Sequence, residues 1–333
     1  MKEKAARPRP KVVVSRCIEH AACRYNGQMV KDELVAKLKD HVDYVTVCPE
    51  ADIGLGIPRD PVRIVKMGEA LLLFQPATGK EHSKKMIEYS GTFLSSLSGI
   101  DGFILKYRSP SCGPQDVKVY LGRESPGDIK GVVSGSGFFG SAALEKFPGL
   151  AIEDEARLGN PVLREHFLTK LYALAAYRET EKERTWKALT DYHAKNKLLL
   201  MAYDQVRMRS MGKTASGGED IEKALAEYRD GLYSSFSKIP RYSSMINALM
   251  HAYGYFKDKV SADEKKFFLN GLEEYRDERI PLSAVQRLLY SWAIRFDERY
   301  LLQQTLFDPF PQELAKITDA GRVRDYEPIK WGT

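Results

Sequence analysis

The chain has 333 residues, 43% of them hydrophobic and 29% charged, with a formal net charge of +6. That length leaves room for two buried cores. No apolar run reaches the roughly 18 residues a membrane span needs, and the charged start Met1-Lys2-Glu3-Lys4 lacks the apolar stretch of a secretory signal. A cytoplasmic protein is expected, whose mild positive balance suits an anionic partner without demanding one.

In chain order, residues 1–10 are rich in Lys, Arg and Pro and read as a loose arm. A first strand, Lys11 to Arg16, runs into Cys17, and Asn26-Gly27 reads as a turn. Leu34, Val35 and Leu38 are spaced for a helix over 30–39. A strand over 42–47 ends at Cys48-Pro49-Glu50, where the proline cannot continue a ladder. Residues 51–65 are rich in Gly and Pro and read as a long binding loop. A short strand is expected at 71–76 and a helix over 79–97, with Met86, Tyr89, Phe93 and Leu97 on one face. A strand at 103–106 then leads through Tyr107-Arg108 to Ser109-Pro110-Ser111-Cys112-Gly113. Ser134-Gly-Ser-Gly137 reads as a turn into a helix over 139–146, and 150–152 as a last strand. Strands alternating with helices predict an α/β domain over 1–160 with an open, mostly parallel, Rossmann-like sheet.

Beyond Asn160-Pro161 the periodicity is helical, over 162–179, 181–211, 218–236, 241–257, 262–276 and 281–295. An all-α domain over 161–333 is expected. Ser261-Ala-Asp-Glu264 has the capping-box pattern, and the tail after Phe307 is loop-like.

The four cysteines, Cys17, Cys23, Cys48 and Cys112, all lie in the first third. A disulfide framework does not suit a cytosolic chain of this size, which favours metal binding or thiol chemistry, with inert buried cysteines the plainer reading. Three of them follow apolar strands, and in an open parallel sheet those strand ends share one edge, where ligands bind. The close cysteine pairs of structural zinc sites are absent. Three separated thiolates suit a cubane cluster with one iron lacking a protein ligand, which would act as a Lewis acid. Glu50, two residues from Cys48, can face the same pocket and activate water or carry protons; a turn cap is the plainer reading. Ser109 and Ser111 flank a proline and either donate to a substrate or form a turn. Lys106 and Arg108 either hold a phosphate or are solvated strand-end charges, and Arg24 and Tyr25 either meet substrate or cap a turn. Ser134 to Gly137 could cradle a phosphate at a helix start, with a tight connection the simpler reading.

Segment 182–213 carries eight basic residues against three acids, a difference of +5. Lys187, Lys195, Lys197, Arg207 and Arg209, with Trp186, Tyr192, His193 and Tyr203 interleaved, could follow phosphates and stack on a base. A solvated helix face is the competing reading. The rows Tyr253/Tyr255/Phe256 and Phe267/Phe268 read as core.

Taken together, Ser15-Arg16-Cys17, Cys23-Arg24-Tyr25-Asn26-Gly27, Cys48-Pro49-Glu50 and Ser109-Pro110-Ser111-Cys112-Gly113 resemble the thiouracil desulfidase (TudS) family over residues 10–160. The later segments, from Tyr192-His193 to Tyr203, Asn247 to Tyr255 and Ile280-Pro281-Leu282, resemble the YbgA-like helical domain. The fusion is similar to the RudS 4-thiouridine desulfidases. The resemblance implies a 4Fe–4S cluster held by Cys17, Cys48 and Cys112 with one open iron, Cys23 being the alternative to Cys17. It implies that a thiolated uracil nucleotide or tRNA loses its sulfur as sulfide, with Glu50 and Ser109 catalytic and Arg24, Tyr25, Lys106, Arg108 and Ser111 binding substrate. No redox partner is implied for that step. Arg16 and Ile18-Glu19 depart from the family's small, apolar pattern, and Asn26 replaces a common Asp. The rivals are an RNA-binding protein with a structural metal and a zinc hydrolase.

Overall fold

The computed structural model describes residues 7–122 and 125–315, so most of the expected arm and the last part of the tail lie outside the described residues. The first half runs β1 (Lys11–Ser15), α1 (Glu33–Leu38), β2 (Asp43–Val47), α2 (Pro49–Asp52), β3 (Arg63–Met67), β4 (Ala70–Gln75), β5 (Lys80–Glu81), α3 (Ser83–Ser96), β6 (Gly102–Leu105), β7 (Val117–Gly122), β8 (Ile129–Gly135), α4 (Phe138–Lys146) and β9 (Ala151–Asp154). Four of these strands make a sheet in the order β2-β1-β6-β9, parallel throughout. β1 is buried along Val12, Val13 and Val14, as a central parallel strand covered on both faces must be.

The sequence pattern did not signal a second sheet, in the order β5-β4-β3-β7-β8. β3 lies at the end of the stretch read as loop, and β7 and β8 pair antiparallel from Val117–Gly135 to Gly122–Ile129. β8 is an edge strand with Val132 and Val133, which point to opposite faces, both exposed. A strand solvated on both sides has no alternation to read. The helix expected over 79–97 is shorter, because Lys80–Glu81 pair with β4 before α3 begins.

The second half is helical, as the periodicity required: α5 (Pro161–Glu183), α6 (Trp186–Ala215), α7 (Ile221–Ser235), α8 (Tyr242–Tyr253), α9 (Ala262–Arg276), α10 (Leu282–Arg295) and α11 (Arg299–Leu302). Asn160 caps α5, accepting from the Val162 and Leu163 N–H groups, with Pro161 in the first turn. The capping box at Ser261 and Glu264 is formed. α6 breaks at Asp204, which takes an extended conformation and caps the following turn through the Arg207 N–H. Tyr253, Phe256 and Phe268 are core, whereas Tyr255 and Phe267 face solvent. No described helix is long and apolar enough to cross a membrane.

The two halves share their interior. Phe167, Leu168, Leu171 and Tyr172 of α5 pack with Val12, Val14, Ile104 and Ala151 of the parallel sheet. Gly102 lets the helix approach: a Cβ there would lie 2.6 Å from the Ala151 carbonyl and 2.9 Å from Leu171 Cδ1. Arg178 of α5 donates to both carboxylate oxygens of Asp101 at 3.1 Å, just before β6.

Candidate functional site

The carboxyl ends of β1, β2 and β6 lie side by side, and the segments leaving them surround a cavity of about 190 Å³. Cys17, Cys23, Cys48 and Cys112 all line it, with Glu50, Arg59, Lys106, Ser109 and the rim residues Arg24, Tyr25 and Arg108. Cys48 occupies the position before α2, whose first residue is Pro49, and this places Glu50 one step inside the cavity. Arg16 makes a two-pronged ion pair with Asp52, and Tyr89 donates to the same carboxylate at 2.6 Å, pinning the far end of α2.

Glu50 is the most constrained carboxylate at the cavity. Its Oε2 accepts from Arg59 Nε at 2.8 Å and from Arg59 Nη2 at 2.7 Å, and its Oε1 accepts from the Ser111 hydroxyl at 2.8 Å. Ser111 is fully buried, so it stands behind Glu50 and does not line the cavity. Ser109 does line it. Its oxygen accepts from the Ser111 and Cys112 N–H groups at 3.2 and 3.1 Å, so it holds the loop. Its own proton can go to the Cys112 sulfur or to a guest in the cavity.

Lys106 is ion-paired with Glu155, whose second oxygen accepts from the Tyr107 N–H at 2.8 Å. Arg108, in the left-handed region at φ 54°, sets its guanidinium 4.7 Å from the Tyr107 ring centroid. Arg24 lies similarly 5.6 Å from the exposed Tyr25 ring. Among the described residues, Arg24 and Arg108 make no ion pair, so the mouth of the cavity carries two free cations on aromatic supports.

The Ser134 to Gly137 stretch does not form a phosphate cradle. Ser134 and Gly135 end β8. The N–H groups of Gly137, Phe138, Phe139 and Gly140 donate to carbonyls of the Pro110–Gly113 loop at 2.7 to 3.1 Å. The orphan donors of the α4 terminus thus hold the Cys112 loop in place.

The expected metal centre is not formed. Among the described residues there is no group of three or more His, Cys, Asp or Glu side chains that could hold a metal ion. The cysteines share a cavity, but their sulfurs are engaged with the protein. Cys23 is hydrogen-bonded to Cys17 and Cys48, Cys48 Sγ contacts the Cys23 carbonyl at 3.8 Å, and Cys112 turns to Ser15 and Ser109. The bond to Cys17 pushes up the Cys23 thiol, the bond to Cys23 pushes up Cys48, and burial pushes up Cys112. The assignment of a 4Fe–4S cluster with one open iron to Cys17, Cys48 and Cys112 is therefore corrected, and the iron–sulfur-dependent desulfidase reading built on it goes too. The structural-metal and zinc readings fall with them.

On α6, Lys187, Lys195, Lys197, Arg207 and Arg209 are all exposed. Lys187 pairs with Asp191 and Arg207 with Asp204, while Lys195, Lys197 and Arg209 make no ion pair among the described residues. The interleaved aromatics do not join them. Trp186 packs on the core, Tyr192 is buried and donates to the Ala173 carbonyl, and Tyr203 stacks on His166. His193 Nδ1 lies 3.0 Å from the Tyr228 hydroxyl. Burial removes Tyr192 from a base-stacking role, while Trp186, His193 and Tyr203 are half-buried against the protein.

Sequence reasoning missed Arg59, Ser15, Asp52 and Glu155. Arg59 lies in the stretch read as a binding loop, and its approach to Glu50 depends on how that loop folds back.

Comparison with known proteins bears on each half separately. The sequence profile of a family described as 2-thiouracil desulfurase matches residues 12–155, and that of a family described as a protein of unknown function (DUF1722) matches residues 197–311. The uncharacterised protein YbbK of Bacillus subtilis (strain 168) is 33% identical over 156 residues, 45% of this chain and 98% of YbbK. The uncharacterised protein YbgA of Escherichia coli (strain K12) is 25% identical over 149 residues, 44% of this chain and 88% of YbgA, a weaker likeness. A solved structure described as a 4Fe-4S-dependent thiouracil desulfidase, TudS, aligns at 25% identity with a TM-score of 0.34, covering 45% of this chain and 94% of that one. Through residues 12–155, and through its match to nearly all of YbbK, the chain belongs to the 2-thiouracil desulfurase family.

Proposed function

We propose that the cavity at the carboxyl edge of the parallel sheet takes a thiolated pyrimidine and that its sulfur is removed there. What supports this reading is the meeting of a fixed carboxylate, a hydroxyl proton and a soft, sulfur-lined wall in one cavity of a domain from this family. A cavity of about 190 Å³ suits one pyrimidine ring. The balance is simple. Water adds its oxygen to the ring carbon, the carbon–sulfur bond breaks, and the sulfur leaves as hydrogen sulfide. Glu50 accepts the proton of the attacking water, and Ser109 donates a hydrogen bond to the sulfur as charge gathers on it. The neutral thiols are weak donors and polarizable neighbours for that same atom.

The substrate is proposed to be a nucleotide or an RNA carrying the base, because Arg24 and Arg108 stand at the cavity mouth where a phosphate would lie. Lys195, Lys197 and Arg209 are proposed to meet further phosphates of a longer chain. The test is sulfide release from 4-thiouridine monophosphate and from thiolated tRNA. Glu50→Gln should abolish release from both. Replacing Lys195, Lys197 and Arg209 together by Gln should weaken tRNA alone. Full turnover by Glu50→Gln would remove Glu50 from the chemistry, and no release from either substrate would end the reading.

A further inference from the structure

Arg59 is the deepest cation at the site, its side chain only 4% exposed against 12% for Glu50. Its hydrogen bonds reach two walls of the cavity and its own loop. Two N–H groups hold Glu50 Oε2. Nη1 donates to the Cys23 carbonyl at 3.1 Å and to the Gly56 carbonyl at 3.0 Å. The backbone N–H of Arg59 donates to the Tyr25 carbonyl at 2.8 Å. One residue thus ties together α2, the Cys23–Tyr25 segment and its own loop.

We infer that Arg59 is a positioning residue, which aims the Oε1 oxygen of Glu50 and at the same time sets the Arg24–Tyr25 rim over the bound ligand. With Oε2 held by two donors, Glu50 can turn only as Arg59 allows, and Oε1 stays on Ser111 and the cavity. The rim segment meets the start of α2 at one other point, Cys48 Sγ on the Cys23 carbonyl at 3.8 Å, a longer and weaker bond than the 3.1 and 2.8 Å bonds from Arg59, so the rim follows Arg59 first. A lysine cannot substitute, because one ammonium cannot hold a carboxylate oxygen with two N–H groups in a plane while reaching a carbonyl on another segment. The inference rests on the function proposed above for its kinetic consequence, and on the hydrogen bonds alone for its structural one.

The experiment has two arms on the full chain. In the first, sulfide release from 4-thiouridine monophosphate is measured for wild type, Arg59→Lys, Arg59→Ala, Glu50→Gln and the Arg59→Ala/Glu50→Gln double variant. Arg59→Ala should lower kcat about 100-fold, the cost of a carboxylate displaced by about 1 Å, and raise KM about 10-fold through the loosened rim. Arg59→Lys should lose nearly as much. The double variant should fall no further than Glu50→Gln in kcat, within about twofold. Additive losses in kcat, or an unchanged KM, overturn the inference, since a residue that only stabilised the fold would act independently of Glu50.

In the second arm, exchange of the Arg59 Nε–H proton with solvent is followed by NMR. It should be slow in wild type and at least about 10-fold faster in Glu50→Gln, where the charged acceptor is gone. Should wild type release no sulfide, the functional reading fails, and this arm decides the clamp. Slow exchange that quickens in Glu50→Gln keeps it, and fast exchange in wild type removes it.

Discussion

Lys170 sits on α5 only 9% exposed, and among the described residues its ammonium makes no hydrogen bond or ion pair. Burial lowers its pKa to about 8, against a partial opposing pull from Glu153. The folded state therefore binds its proton less readily than the unfolded state does. Below pH 8 both states are charged and the penalty of the buried cation is constant. As pH rises from about 8 to the unfolded value, the folded state sheds the proton first and the penalty fades. Lys170→Met keeps the length of the side chain and removes the charge, so it should stabilise the protein at pH 7 by about 1–2 kcal/mol. Urea unfolding at pH 7 and at pH 10 checks both parts: a gain at the first and little at the second. Loss of stability at pH 7 would mean that Glu153 holds the ammonium more firmly than its surroundings suggest. The residue scale also shows where sequence reading stops. Glu50 was legible because it follows Cys48 at a strand end. Arg59 was not, because an arginine between Pro58 and Asp60 in a Gly/Pro-rich loop looks like any solvated charge until the loop folds onto Cys23 and Tyr25.

Among the elements, α5 does two jobs at once. Its capped start and long apolar pattern announced a helix, but nothing in its own sequence said that it would close the parallel sheet. One face carries Phe167, Leu168, Leu171 and Tyr172 against Val12, Val14, Ile104 and Ala151, while Ala173, Leu174 and Tyr177 join the core with α6 and α7. Helix periodicity reports that a face is buried and says nothing of what covers it. The β7–β8 hairpin was hidden for the opposite reason, since its outer strand buries little. Each of the four large side chains on the sheet side contributes about 1.5–3 kcal/mol by leaving water. Together they approach the full stability of an ordinary domain. A chain cut after residue 160 should therefore lose cooperative unfolding, whereas one cut after 184 should recover part of it. Thermal melts of the two fragments by circular dichroism decide this. A fragment 1–160 that melts as sharply and as high as the intact chain would show that the sheet face is covered by other means. The same contact predicts that the basic face of α6 moves as one body with the cavity.

At the level of the whole molecule, buried histidines and buried carboxylates respond oppositely to acid. In the helical half, burial lowers the pKa of His166 and His193 to about 4, each neutral ring meeting a tyrosine hydroxyl at 3.0 Å. Their folded values lie below the ordinary histidine value, so the unfolded state takes up protons first. The stabilising contribution is complete above about pH 6.5 and is lost as pH falls toward 4. For buried carboxylates, among them Glu165 and Glu181 of the helical half, the sign reverses. Burial raises the pKa of Asp32, Asp101 and Asp154, so protonation of these groups begins in the folded state and offsets part of the loss. At pH 5 each histidine should cost about 1–2 kcal/mol relative to pH 7.5, enough to lower Tm by roughly 4 °C for the pair. The three tryptophans, Trp186, Trp292 and Trp331, all belong to the second half of the sequence. The fluorescence of Trp186 and Trp292 therefore follows the half that holds His166 and His193. Melts at pH 7.5 and pH 5 of wild type and of His166→Asn/His193→Asn should show the fall in wild type and a much smaller one in the variant. An equal fall in both would show that the two histidines do not set the acid sensitivity.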